Sequence, residues 1–447
     1  MNTMKGRLQP WIVAILLQFS LFMSVNGQES VERGRKALTE TAFIPASWTT
    51  NAYENLWKRW PGVTSKPENY VLEIEKRYGL PTAPYENDQL PMGLRAGKIF
   101  FAKGIAIDCM ICHGGSLFSK SYVGLGNTSI DLQGLFEDLS ISDGRSGKLP
   151  FQFGNVRGTT EAFALAVYLI SFRDAELKVT SKSKNLGLHD DMCLDPPAWW
   201  LLKKKSTMYC DGGMDARSIR SKMQFMMSPL TSRKEFDRHE AAFKDIHEFL
   251  MSMEAPKYPK PINEKLAASG NELFSQNCAS CHGTYGAGGK YPNKIVPLEK
   301  IGTDPHRHRG LEDRYRQHYN ETWFAKESPT AFPAIKTVGY QAPPLDGIWA
   351  TAPYFHNGSV PTLMDVLDST QRPKRYTRTF QTREEDYDFM KVGWKTTPVG
   401  PEKPATPRAT RQIYDTSLPG RSNQGHTFGD HLTEQERLAV IEYLKTL

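Results

Sequence analysis

Four of the chain's six cysteines fall in two identical patterns, Cys109-Met-Ile-Cys112-His113 and Cys278-Ala-Ser-Cys281-His282. At this composition one C-x-x-C-H match is expected about 0.002 times by chance, so a pair of them is a haem-attachment signal. The spacing has a chemical reason. One helical turn sets two thiols where they add to the two vinyl groups of a single haem, and the adjacent imidazole binds the iron from the proximal side. A zinc knuckle is the structural alternative, but paired knuckles lie about 15 to 20 residues apart, whereas a long stretch of chain separates Cys112 from Cys278. A thioredoxin-like pair wants a strand before and a helix after, and has no use for the His. The expected cofactors are therefore two covalently bound haem c groups, on Cys109, Cys112 and His113 and on Cys278, Cys281 and His282.

The surroundings repeat as well. Arg95-Ala-Gly97-Lys-Ile-Phe100 precedes the first motif and Ser269-Gly270-Asn-Glu-Leu-Phe274 the second, and each reads as an amphipathic helix leading into a haem site. Glu248 to Met253 echoes Glu442 to Leu447 at helical apolar spacing. The fold class that follows is mainly α, with two tandem class I cytochrome c-like domains, an N-terminal extension and long irregular loops. Prolines at 256, 259 and 261 break any helix and place the domain junction near 258. The expected layout is a signal peptide over 1–27, a wrapping extension rich in Trp, Tyr and Pro over 28–90, a first haem domain over 91–258 and a second over 259–447. Residues 371–424, basic and rich in Pro and Thr, read as a long surface loop.

The chain has 447 residues, 39% of them hydrophobic, with 56 Lys+Arg against 49 Asp+Glu. That profile belongs to a globular protein and excludes disordered and fibrous classes. The net charge of +7 suits an acidic redox partner, and the absence of any long basic block excludes a nucleic-acid tail. Lys5 and Arg7 precede an apolar run from Trp11 to Val25, which reads as an export signal; an uncleaved anchor is the alternative. The run is too short to span a bilayer, and no later segment resembles a membrane helix. Export to a periplasm or beyond follows, with no membrane association after cleavage. Cys193 and Cys210 are left over, either as a disulfide or as two buried thiols.

The sixth position on each iron decides its chemistry, because a strong protein ligand favours electron transfer and an open face favours O₂ or peroxide. In the second domain the candidates are His306, His308, His318, His356, His426 and His431. His306 and His308 sit among Asp and Arg and read as solvated. In the first domain Met226 and Met227 precede the closing helix; core packing is their simpler explanation. His189 reads as a surface residue.

The stretch from Tyr340 through Trp349 and His356 to Leu363 resembles the signature loop of the bacterial di-haem cytochrome c peroxidases and the related enzyme that matures methylamine dehydrogenase. In those proteins a Met or Tyr follows the loop as sixth ligand of the second haem. Counting without gaps, that position here is Thr370, a poor iron ligand. The sequence is more similar to the di-haem rubber oxygenases and their relatives, through Asn87 to Arg95, Trp349 to Leu363 and Ser422 to Gly429. That resemblance implies His426 as the distal ligand of the second haem, with Trp349 and His356 around the same haem. It also implies a first haem with no distal protein ligand and Phe225 as a wall of its pocket. Calcium, held between the domains in the peroxidase branch, has no readable signature here.

The function expected is a di-haem oxidoreductase, peroxidase-like or oxygenase-like, in which haem 1 reacts with O₂ or peroxide and haem 2 relays electrons. Its partner is a redox protein or a small-molecule oxidant. The alternative is an electron-transfer cytochrome with both haems six-coordinate, supported by Met226 and Met227; a sensor without turnover is the third reading.

Overall fold

The computed structural model describes residues 27–99 and 102–447. The proposed signal lies almost wholly outside the described residues. Helix accounts for 38% of the chain and strand for 12%, so helix leads without being exclusive. Among the described residues no helix is long and apolar enough to cross a membrane.

The second half is built around two crossed helices. Glu264–Asn277 buries Ala267, Gly270 and Phe274 on one stripe, with Asn263 capping its start by accepting from the Leu266 amide at 3.1 Å. The last helix, Glu434–Leu444, starts at a reciprocal Thr433 and Glu436 capping box. The two helices touch at Gly270, where a methyl group would sit 1.9 Å from the Ala439 carbonyl oxygen. Only glycine lets the backbones approach this closely.

The first half repeats this crossing with a partner the sequence pattern did not reveal. A helix over 27–40 crosses the long helix Arg233–Ser252, which buries Phe236, Phe243, Ile246 and Leu250. A methyl group on Gly34 would lie 2.0 Å from the Asp245 carbonyl oxygen. Arg33 adds a two-pronged pair to the Asp245 carboxylate at 2.8 and 3.0 Å. Gly34 is thus the counterpart of Gly270, and the start of the expected wrapping extension forms part of the first helical pair.

Residues Arg95 to Ile99, expected to be helical, form a strand instead. Leu94–Ile99 pairs antiparallel with Ala102–Ile107, which in turn pairs with Trp48–Thr49. Alternating small and branched residues without a helix cap suit a hairpin better than a helix. Arg95 anchors the hairpin: its buried guanidinium holds Asp108 at 2.7 Å and the Thr39 carbonyl at 2.5 Å. Asp108 also accepts from the Met110 amide at 2.9 Å and so fixes the start of the first motif. Residues 41–107 are therefore an insertion between the first helix and its cysteines. Trp48, Tyr53, Trp60, Tyr70 and Tyr78 of this insertion pack with Ile111 and with Leu135, Phe136 and Leu139 of the helix Leu132–Ser142.

Residues 371–424 also depart from expectation. They carry short strands and bury Tyr376, Tyr387, Trp394 and Tyr414. Arg408 reaches Asp138 at 2.7 Å, and Arg411 reaches Glu137 at 3.1 Å. Both acceptors lie on Leu132–Ser142, so the basic stretch is a strap fastened to an acidic helix of the first half.

Candidate haem-binding sites

Each C-x-x-C-H sequence forms one helical turn, Met110–His113 and Ala279–His282. In both, the His amide donates to the carbonyl of the first Cys, at 3.1 and 3.0 Å. The repeat extends to the rings. His113 Nδ1 donates to the Pro197 carbonyl at 3.0 Å, and His282 Nδ1 donates to the Pro343 carbonyl at 2.9 Å. A carbonyl can only accept, so Nδ1 carries the proton and Nε2 keeps a free lone pair for a metal. Burial pushes the His113 imidazole down to about 4 and lowers His282 as well, which keeps both neutral and competent as ligands. Burial raises the Cys109 and Cys112 thiols to about 12 and Cys278 to about 11. Burial therefore favours the neutral S–H form of these three cysteines.

Opposite His282 stands His426, with its ring centroid 6.2 Å from that of His282. A metal–imidazole bond of about 2 Å on each face, with about 1.1 Å from nitrogen to ring centre, asks for about this separation. The residues therefore fit an iron held between them. His426 adopts a left-handed backbone, φ 48°, which its surroundings enforce. Its amide donates to the Ile301 carbonyl at 2.7 Å. Arg372 donates to the carbonyls of Asn423, Gly425 and His426 on one side and of Asp365 and Val366 on the other, clamping the loop. Burial, and then the neighbouring His282 and Arg372, push the His426 imidazole down to about 4.

The other histidines have different occupations. His306 meets Asp191 at 2.7 Å, and His189 meets Glu312 at 3.2 Å. His306 and His308 are both half-buried, against the expectation of solvated rings, and His308 bonds the Thr337 carbonyl at 2.9 Å. His318 is buried against Ile170 and Lys184, and His431 bonds Asn277. Thr370 turns its hydroxyl to Asp368 at 2.6 Å.

Around the first motif, Trp199 stacks on His113 at 4.8 Å. Its neighbour Trp200 donates to the Asp346 carbonyl at 2.8 Å, in the loop that follows Pro343. The two proximal loops are thus joined directly. Among the described residues no second imidazole faces His113 as His426 faces His282. Met226 and Met227 are buried in the hydrophobic core with Met110 and Met223. Phe225 lies between Gln224 and Met226 on the same short turn but is only half-buried.

Trp349 is fully buried in a cluster that Cys278 and Ala279 pack against, and its indole N–H donates to the carbonyl of Pro256, in the Pro-rich stretch over 256–261, at 3.0 Å. It supports the core under the second motif and ties down that stretch. His356 stacks on Tyr340 at 4.1 Å, while the adjacent Phe355 lies 5.9 Å from the His426 ring. Cys193 and Cys210 are both free thiols; Cys193 packs with Val156, Tyr376 and Tyr414. Among the described residues no group of three or more His, Cys, Asp or Glu is placed to hold a further metal ion such as calcium. Sequence reasoning missed Pro197, Pro343 and Arg372. The Pro-Pro pairs at 196–197 and 343–344 were the visible signal for the first two.

Two stretches match known families. Residues 339–377 match the family described as RoxA-like, cytochrome c-like, and residues 265–335 match cytochrome c oxidase, cbb3-type, subunit III. An uncharacterized protein of Sinorhizobium fredii, y4iJ, is 30% identical over 43% of this chain and 41% of its own length. A second from the same organism, y4iM, is 28% identical over 52% of this chain and 56% of its own. The chain spans about half the length of these relatives. A solved structure of hydrazine synthase from Kuenenia stuttgartiensis, pressurized with xenon, shares 15% identity over 63% of this chain and 87% of its own, at a TM-score of 0.24; a likeness that slight carries no argument. The two matched stretches support a c-type cytochrome, and the cofactor that cytochrome c domains carry is covalently bound haem c.

Proposed function

We propose that the chain is an exported di-haem oxidoreductase of the rubber-oxygenase-like branch of the di-haem peroxidase superfamily. In this reading the first haem reacts with O₂ or peroxide and the second transfers electrons. The observation that carries it is the asymmetry between the two proximal histidines: His282 faces His426 at a separation suited to a shared iron, and His113 has no such partner among the described residues. The RoxA-like match over residues 339–377 supports the branch, because it covers the Tyr340 to Leu363 loop.

Haem, when bound, supplies an iron that exchanges single electrons and that reacts with O₂ or peroxide when one face is open. The chain's residues decide which iron does what. Pro197 and Pro343 fix the tautomer and plane of the two proximal rings. Arg372 holds the His426 loop, so that the second iron is closed to small ligands. Phe225, the half-buried side chain between core residues, walls the open face of the first site and limits water there. Trp199 and Trp200 link the two proximal loops and shorten the path for an electron between them. The partner is a redox protein or a small-molecule oxidant, which the net charge of +7 suits if the partner is acidic.

Electron paramagnetic resonance and visible spectra of the oxidised, haem-loaded protein test this reading. One high-spin and one low-spin haem are expected. Two low-spin haems, both inert to cyanide and peroxide even after one is reduced, would overturn it and leave an electron carrier.

A further inference from the structure

Arg307, on the short helix His306–Gly310, has a fully buried side chain, and none of its three guanidinium nitrogens has a hydrogen-bond partner. A guanidinium carries five N–H donors and stays charged, so leaving them all unmet inside a protein is strongly unfavourable. The carboxylate within ion-pair reach is Asp211, whose Oδ2 stands 3.5 Å from Nη1, too long for a good hydrogen bond, and has no other partner, while its Oδ1 accepts from the Gly213 amide at 3.1 Å. The face of Arg307 rests on the Phe163 ring at 3.8 Å. Beside it the His356 Nε2 is also buried without a partner. Burial and the Arg307 charge hold the His356 imidazole down at about 3, so it stays neutral.

Two short runs of chain join this cluster to the loops that bracket the second haem site. Upstream of Arg307 the chain passes Ile301, whose carbonyl holds the His426 amide, and Gly302, which presses against Gly425. Tyr340, which stacks on His356 and donates to the Asp304 carbonyl at 2.7 Å, leads through Gln341 and Ala342 to Pro343, the acceptor for His282. Short runs of chain therefore link the unmet donors to both axial anchors of one site. Those donors call for an anionic acceptor with at least two oxygens.

We propose that Arg307, together with the imidazole of His356, anchors a propionate carboxylate of the haem attached at Cys278 and Cys281. The inference rests on the reading of the second motif as a haem site. A carboxylate meets a guanidinium fork with two parallel hydrogen bonds, which would satisfy Arg307 and fix the rotation of the macrocycle about the His282 to His426 axis. The guanidinium charge would also offset the propionate charge and so stabilise the reduced iron.

The test uses the full chain matured with haem, as Arg307→Gln, Arg307→Lys, His356→Asn and Asp211→Asn. Haem stain and pyridine spectra first establish whether Cys278 and Cys281 carry haem; no haem there in the unaltered chain overturns the functional reading itself. With haem present, the midpoint potential of the low-spin haem should move to more negative values in Arg307→Gln and less so in Arg307→Lys. Asp211→Asn, which removes a negative charge, should not move it in that direction. The propionate bending bands of that haem in the resonance Raman spectrum should shift in Arg307→Gln and in His356→Asn. An unmoved potential and unmoved Raman bands, with equal losses of thermal stability in Arg307→Gln and Asp211→Asn, would show Arg307 to be only the ion-pair partner of Asp211. A shift confined to the other haem would overturn the assignment equally. Should Arg307→Gln fail to fold, Arg307→Lys and His356→Asn carry the same readouts.

Discussion

His426 faces His282 across 6.2 Å, centroid to centroid, with the two ring planes inclined at 60°. The two residues come from opposite ends of the second half, one on the turn after Glu264–Asn277 and one on the loop before Glu434–Leu444. Arg372 and the Ile301 carbonyl hold the second in place. Replacing His426 by Ala should convert one low-spin haem to high-spin, read by electron paramagnetic resonance. His356→Ala should leave that haem low-spin, because His356 stacks on Tyr340 and does not face His282. The reverse pair of results would place the ligand on the other loop.

Removing the thiols of the first motif, by Cys109→Ala with Cys112→Ala, should lower the haem content from two per chain to one and leave the low-spin spectrum of the second haem intact. The same variant should lose its optical response to cyanide, since in the proposed arrangement His282 and His426 would close both faces of the remaining iron. A surviving cyanide response would mean that the second haem is the open one.

The site and the fold were legible to different degrees. The motifs were plain because covalent attachment fixes residue types at fixed spacing, whereas the role proposed for His426 came from the resemblance to the rubber oxygenases rather than from any local pattern. Pro197 and Pro343 act through backbone carbonyls, which leave only the weak trace of a Pro-Pro pair. The first helical crossing was hidden by an insertion. Gly34 and Leu38 repeat the spacing of Gly270 and Phe274, yet the inserted hairpin puts Arg95 and Gly97 where a helix beside Cys109 was expected. The strap over 371–424 read as a loop because Pro and Thr break regular elements, while its buried Arg and Tyr contacts are long-range and leave no local period.

The glycine crossings predict matched losses of stability. A methyl group on Gly270 would overlap the Ala439 carbonyl and one on Gly34 the Asp245 carbonyl, and both atoms are helix backbone that cannot move alone. Gly270→Ala and Gly34→Ala should each cost about 2 kcal/mol or more in denaturant melts, from forced separation of the helices. Equal melts for Gly34→Ala and the unaltered chain would remove the helix over 27–40 from the first pair.

The strap supplies the last test, because its two arginines differ in burial while reaching the same helix. Arg411 is 7% exposed at its side chain and contacts Glu137 at 3.1 Å and the nearly buried Asp131 at 3.5 Å. Asp131 also caps Leu132–Ser142 by accepting from the Gly134 amide at 3.0 Å. Arg411→Ala would leave that carboxylate buried without its counter-charge, and breaking one side of a buried pair costs about 3 kcal/mol or more. Arg408 is 38% exposed, and water replaces part of what its loss removes from Asp138. Arg408→Ala should therefore cost only about 1 kcal/mol, and added salt should shrink the difference from the unaltered chain. Urea melts of the two variants at low and high salt distinguish a fastened strap from a loose loop: equal, small losses for both would mean that residues 371–424 do not hold to the acidic helix in solution.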